Sequence, residues 1–181
     1  MRQIVVLLVI GAIAGGILGA VYQKMYPLIV KNRQQALKAA VLQVLPKAKS
    51  FKQLKKDKLV VYQGLNAKKQ PVGWAFAVET PGFQGVIKMM VGVSQNFKQI
   101  TGLTVLENVE TPGLGARITE ADFQNQFVAL SPKKEIILVK NRAPVKEKNE
   151  VEAIAGATIS SRAVVNGLNK QILKVRQALG K

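Results

Sequence analysis

Apolar residues along this chain fall into three kinds of pattern, each with its own structural consequence. From Ile4 to Tyr22 nearly every position is apolar or small, with Arg2 before the run and Gln23-Lys24 after it. At about 1.5 Å of rise per residue such a helix matches the roughly 30 Å hydrocarbon core of a bilayer. Residues 1–24 are therefore expected to form a single transmembrane anchor in the lipid bilayer. Gly11 and Gly15 form a small-xxx-small pair that suits close approach of a partner helix. A cleaved signal peptide cut after Ala12-Ile13-Ala14 is the competing reading, but the apolar run continues from Ile13 to Val21 beyond that point, which favours an uncleaved anchor.

The second pattern is helical. Ala36, Ala39, Val41, Leu42 and Leu45 place apolar positions on a helix over residues 32–45 that Pro46 stops. Lys47 to Lys58 reads as a basic connector, loop or frayed helix, so that residues 25–58 form a helical and basic linker. Near the C-terminus Val165, Leu168, Ile172, Val175 and Leu179 recur at three- and four-residue spacing, one apolar face of a helix about 20 residues long. A short helix is expected around Glu120 to Leu130.

The third pattern is strand-like. Leu59 to Gln63, Trp74 to Glu79, Val86 to Ser94, Ile100 to Leu106 and Glu135 to Val139 are apolar stretches separated by Gly, Pro, Asn and Lys turns, with Gln95-Asn96 set for a hairpin. The fold class that follows is α+β: a single N-terminal transmembrane helix, then one domain of antiparallel strands with flanking helices over residues 59–181.

Composition narrows the chemistry. The chain has neither Cys nor His. Disulfides, thiolate-held iron–sulfur clusters, Ser-His-Asp catalysis and His-ligated metals are thereby excluded, and any redox chemistry falls to an organic cofactor. Lys and Arg outnumber Asp and Glu by 27 to 10, a formal net charge of +17. This leaves open a second class of function, a membrane-tethered module that binds an anionic polymer or surface. The lysines are scattered over connectors and turns, however, and no helix-turn-helix, RNA-recognition or zinc pattern accompanies them, so nucleic acid is not an expected partner.

The most informative stretch is Glu152-Ala-Ile-Ala-Gly-Ala-Thr158-Ile-Ser-Ser161, which runs directly into the C-terminal helix. Gly156 and Ala157 let a bulky group approach the backbone, and Thr158, Ser160 and Ser161 are hydroxyls at a helix start, where free N–H groups favour an anion. On residues alone, a capped helix after an ordinary turn is the favoured account of the stretch. Two further runs stand out: Gly82-Phe-Gln-Gly85 before the Val86 strand, and Glu107-Asn-Val-Glu110-Thr111-Pro-Gly113-Leu114-Gly115, which as sequence is also compatible with a plain turn.

In order and in content these three runs resemble the motifs of the FMN-binding domains in the G subunit of the Rnf-type ion-translocating electron-transport complex, which is related to the C subunit of the sodium-pumping NADH:quinone oxidoreductase. The resemblance implies covalent FMN, its phosphate esterified to Thr158 by a flavin transferase during maturation, within residues 59–181 as the FMN-binding domain. It implies cofactor contacts at Gly156, Ala157, Ser160, Ser161, Glu110, Thr111, Gly113, Leu114 and Gly115. Trp74, Tyr62 and Phe83 are aromatic candidates for stacking on a ring, although a lone aromatic near a strand is more often core. Glu152 stands where the family usually has Asp, and Ala155 where it usually has Ser or Thr. The implied function is electron relay inside a ferredoxin:NAD oxidoreductase complex, alongside its other membrane subunits. The implied topology in the cell (inner) membrane is single-pass, with a cytoplasmic N-terminus and the domain on the outer face. The C subunit of the quinone reductase, or a stand-alone membrane flavoprotein, is the alternative within the same resemblance.

Overall fold

The computed structural model describes residues 2–56 and 59–181. The chain forms two units, Met1–Ala39 and Ala40–Lys181. Helix α1, Arg2–Val44, makes up the described part of the first unit and contributes its last residues to the second. Within the first unit the helix is long and apolar enough to cross a membrane, and none of its apolar window is buried against protein. Pro27 lies inside it; the helix continues through that residue despite the hydrogen bond a proline cannot donate. The helix expected over residues 32–45 is thus the end of one long element.

The second unit is built on a five-stranded sheet in the order β1-β2-β3-β4-β5. Its strands are Ser50–Lys56, Leu59–Leu65, Pro71–Pro81, Val86–Ser94 and Ile100–Glu107, each antiparallel to the next. After them come a 3₁₀ turn at Gly115–Thr119, a short helix α2 at Ala121–Asn125, a parallel pair β6 (Ile137–Val139) and β7 (Glu150–Glu152), and helix α3 at Thr158–Ala178. The β4–β5 hairpin predicted at Gln95-Asn96 is present. One expectation is corrected: the stretch read as loop or frayed helix holds β1 at Ser50–Lys56, an edge strand paired along its length with β2. Asp57 and Lys58, the end of that stretch, lie outside the described residues.

The two faces of the sheet are covered differently. One face carries Val61, Phe76, Val78, Met89, Val91 and Leu103, and α3 packs Val164, Val165, Leu168, Ile172 and Val175 onto it. Side chains alternate across a pleated sheet, and the opposite face has a patch almost without them: Gly64 pairs with Gly73, and Gly92 pairs with Ala75 and Gly102. The end of α1 and the turn after it lie directly on this glycine floor. A Cβ at Gly92 would stand 2.1 Å from the Val44 carbonyl oxygen, and one at Gly64 2.7 Å from Leu45 Cδ1. The Val44 carbonyl is one of the acceptors a helix end leaves unpaired, and the Thr101 hydroxyl donates to it at 2.6 Å.

Away from the sheet, two buried polar groups, Glu150 and Asn149, hold the β6–β7 region. Glu150 accepts a two-pronged bond from Arg142, 2.7 Å on each oxygen, and a third from the Val145 amide at 3.0 Å. These bonds pull its carboxyl down to about 2, the Arg142 pair foremost. A carboxyl whose folded value is depressed stabilises the fold above its ordinary value and loses that contribution as pH falls towards the folded one. Between roughly pH 4.5 and 2, acid should therefore weaken the wild type more steeply than Glu150→Gln, as read by denaturant midpoints across that range. At the glycine floor, Gly92→Val should destabilise the domain by about 3 kcal/mol, because the nearest atom the added side chain meets belongs to the Val44 backbone rather than to a movable side chain; thermal or urea unfolding measures it.

Candidate functional site

Glu110 sits in the loop between β5 and the 3₁₀ turn, only 4% exposed, and segments distant in sequence converge on its carboxylate. The amides of Phe83 and Gln84 donate to Oε1 at 2.9 and 3.0 Å. Ser160, in the first turn of α3, donates its hydroxyl to Oε2. Glycines make room for the junction: a Cβ at Gly82 would meet Glu110 Oε1 at 2.4 Å, and one at Gly115 would meet both Oε2 and the Ser160 hydroxyl at 2.7 Å. Burial pushes the Glu110 pKa up, but the bonds from Ser160 and from the amides of Gln84, Phe83 and Gly85 outweigh it and hold the group below its ordinary value. Glu110 is thus an ionised, fully engaged brace.

The loop around it is a tight turn. The Thr111 carbonyl accepts backbone bonds from Leu114 and Ala116 at 3.2 and 3.1 Å, and Gly113 takes φ +74°, a conformation that glycine enters without a Cβ clash. The Gln84 side-chain amide donates to the Thr111 hydroxyl at 2.7 Å, which ties the Gly82–Gly85 turn to the Thr111 turn.

The start of α3 is shaped by its own residues. Gly156 takes φ +78°. Ser161, fully buried, donates its hydroxyl to the Ala157 carbonyl and receives the Ile154 amide, both at 3.0 Å, which stitches residues 154–157 into a fixed turn. Ala157 occupies the N-cap and has no side chain that could cap the helix. The first-turn N–H groups, which Ser, Thr, Asp or Asn would normally satisfy at that position, are left for an external acceptor.

These pieces enclose a cavity of about 290 Å³. Glu110, Thr111, Leu114, Gly115, Gly156, Ala157, Thr158 and Ser160 line it, eight of the ten residues expected from sequence. The other two do not line it: Gly113 forms the exposed turn and Ser161 the buried stitch. Of the three aromatic candidates, Phe83 lines the cavity and is 63% exposed, whereas Trp74 and Tyr62 are buried at 7% each. Trp74 belongs to the core cluster, and Tyr62 packs edge-on against Phe51. Ile159 also lines the cavity and was missed, because an apolar residue in the first turn of a helix gives no signal of its own. A second cleft, of about 460 Å³, opens beside the first with Arg117, Lys140 and Glu152 among its walls; Gly156 and Thr158 line both.

Three hydroxyls thus open α3, and their states differ. Those of Ser160 and Ser161 are held by Glu110 and by the 154–157 turn. Thr158 is half-buried, at the boundary of two clefts, with its hydroxyl outside every hydrogen bond among the described residues.

This is the architecture of an FMN-binding domain, and the family model of that description matches residues 82–172. The G subunit of an ion-translocating oxidoreductase complex from Methanosarcina acetivorans is 34% identical over 179 residues, covering 94% of this chain and 92% of that protein. The G subunit of the proton-translocating ferredoxin:NAD(+) oxidoreductase complex of Clostridium ljungdahlii is 28% identical, covering 93% of this chain and 87% of its own length. Among solved structures, the C subunit of the Na(+)-translocating NADH-quinone reductase of Parabacteroides distasonis is similar with a TM-score of 0.60 and 26% identity, over 68% of this chain and 63% of that one. The chain belongs to the FMN-binding domain family and, within it, to the G subunits of ion-translocating oxidoreductase complexes.

Glu110→Ala should lower stability by about 3 kcal/mol, since it strands the Ser160 hydroxyl and two amides in a buried site. Urea unfolding of the purified protein checks this, and Glu110→Gln, which keeps the shape, should lose less.

Proposed function

We propose that this protein is a membrane-anchored flavoprotein subunit that relays electrons within an ion-translocating ferredoxin:NAD oxidoreductase complex, through FMN joined by a phosphoester to Thr158. The observation that carries the proposal is that Thr158 is the free hydroxyl of the three, at an uncapped helix start beside the cavity that the Glu110 loop encloses. The residues present fit the group. A phosphate on the Thr158 oxygen would lie against the first turn of α3, whose uncapped N–H groups and positive dipole end favour it. Gly156 and Ala157 leave that approach open, and Phe83, Leu114 and Ile159 offer exposed apolar surface to a ring. Bound FMN supplies one- and two-electron redox chemistry that this chain, without Cys or His, lacks.

In this reading the chain's own side chains position rather than react. Glu110 keeps Ser160 turned inward and fixes the Gly82–Gly85 and Thr111 turns against α3. A flavin transferase recognises the Gly156–Thr158 stretch during maturation. The residue 1–24 segment anchors the chain in the cell membrane with the N-terminus cytoplasmic and the domain on the outer face, where a covalent link prevents loss of the cofactor. Other membrane subunits of the complex supply and accept the electrons. Membership of the ferredoxin-linked complex is favoured over the quinone reductase because the G subunit of the Clostridium ljungdahlii ferredoxin:NAD(+) oxidoreductase complex matches over 87% of its length, whereas the C subunit of the Na(+)-translocating NADH-quinone reductase of Yersinia pestis matches over 35% of its own.

Expressed with an active flavin transferase, Thr158→Ala should lose all in-gel flavin fluorescence after denaturation while keeping a cooperative melt. Thr158→Ser should fold and retain fluorescence wherever the transferase accepts a primary hydroxyl. Full fluorescence in Thr158→Ala would place the ester elsewhere.

A further inference from the structure

A cleft of about 360 Å³ lies between α3 and the loop before β6, apart from the flavin cavity. Its exposed apolar floor is Leu173, 48% exposed beside the buried Ile172, and its walls carry Lys133, Lys134, Lys170 and Arg176 against a single acid, Glu135. Among the described residues none of these four cations has an acidic partner. The cleft thus gathers four cations around one exposed leucine, a surface whose like charges repel until an anionic group neutralises them.

The loop is held rigid from beneath. Asn149, 2% exposed and left-handed at φ 61°, donates to the carbonyls of Ser131, Lys134 and Glu135 and accepts the Ser131 amide. Asn169 bonds both backbone groups of Ile136 at 3.0 Å, and Arg176 reaches the Lys133 carbonyl. Two asparagines therefore set the lysine-bearing loop in one conformation, which lowers the ordering cost of binding.

We infer that this cleft docks an acidic segment of a neighbouring polypeptide in the complex, a partner that presents carboxylates to the four cations and an aliphatic side chain to Leu173. The inference rests on the complex-subunit reading above. A polypeptide suits the cleft better than a lipid headgroup, because Glu135 adds an acceptor to the wall and the exposed Leu173 lies between Lys170 and Arg176 on one face of α3. Lys170 stands twelve residues beyond Thr158 on α3, about 18 Å along the axis at 1.5 Å per residue. A partner held there leaves the flavin loop open.

The test uses the full chain in its native membrane, with a photo-crosslinking amino acid in place of Leu173. Irradiation should attach a protein of the complex through a peptide rich in Asp and Glu, identified by mass spectrometry. Lys133→Glu/Lys170→Glu should cut that crosslink at least about tenfold, while Lys68→Glu/Lys69→Glu, an equal charge change on the exposed β2–β3 turn, leaves it intact. Crosslinks to lipid or to a neutral segment, or equal losses in both variants, would overturn the assignment. Flavin on Thr158 is scored separately in every sample, so failure of the docking site and failure of the flavoprotein reading give different results.

Discussion

The site depends on one interaction, the buried carboxylate of Glu110 that joins three segments distant from one another in sequence. It receives the turn after β3, sits in the loop after β5 and accepts the hydroxyl that opens α3. Each donor alone is a modest contributor, but in a buried setting the network is satisfied together or not at all. Its negative charge is compensated locally by hydrogen bonds rather than by a cation, which keeps the cavity free of a basic side chain that would fill it. Gly82 and Gly115 are required because the junction has no volume left for a Cβ.

A second constraint works from the far side of the sheet. The glycine floor brings the last turn of α1 within van der Waals contact of β4 and β5, so the end of the N-terminal helix is part of one packed unit from Ala40 onwards. Close backbone approach through glycines resembles the way small residues work between membrane helices; here a sheet supplies the surface. The result is a domain whose two faces do separate work, one burying α3 and positioning Thr158, the other fastening the end of α1.

Much of this was legible in sequence where periodicity is strong. Helix α3 and strands β2 to β5 follow from apolar spacing, and the motif runs named eight residues that share the cavity wall. What escaped has physical reasons. Strand β1 reads as a lysine-rich connector because an edge strand buries little: only Phe51 and Leu54 are even half-buried. Strand β6 lies within the apolar stretch read at Glu135 to Val139, but β7 has three residues, too few for a pattern. The glycines at 64, 73, 92 and 102 look like breaks one at a time, and their role emerges only from the pairing register. The bond between Glu110 and Ser160 spans 50 positions, so no local spacing announces it; the same two residues read from motif alone as cofactor contacts are seen to spend their polar groups on each other.

The central claim is that this fold leaves one hydroxyl free to carry a flavin. Its most direct test is the intact mass of the wild-type protein isolated from cells with an active flavin transferase, followed by proteolysis and mapping. The account predicts an increase equal to one FMN less one water, confined to the peptide that contains Thr158. An unmodified mass beside a demonstrably modified control substrate, or a flavin mapped to Ser160 or Ser161, would contradict it.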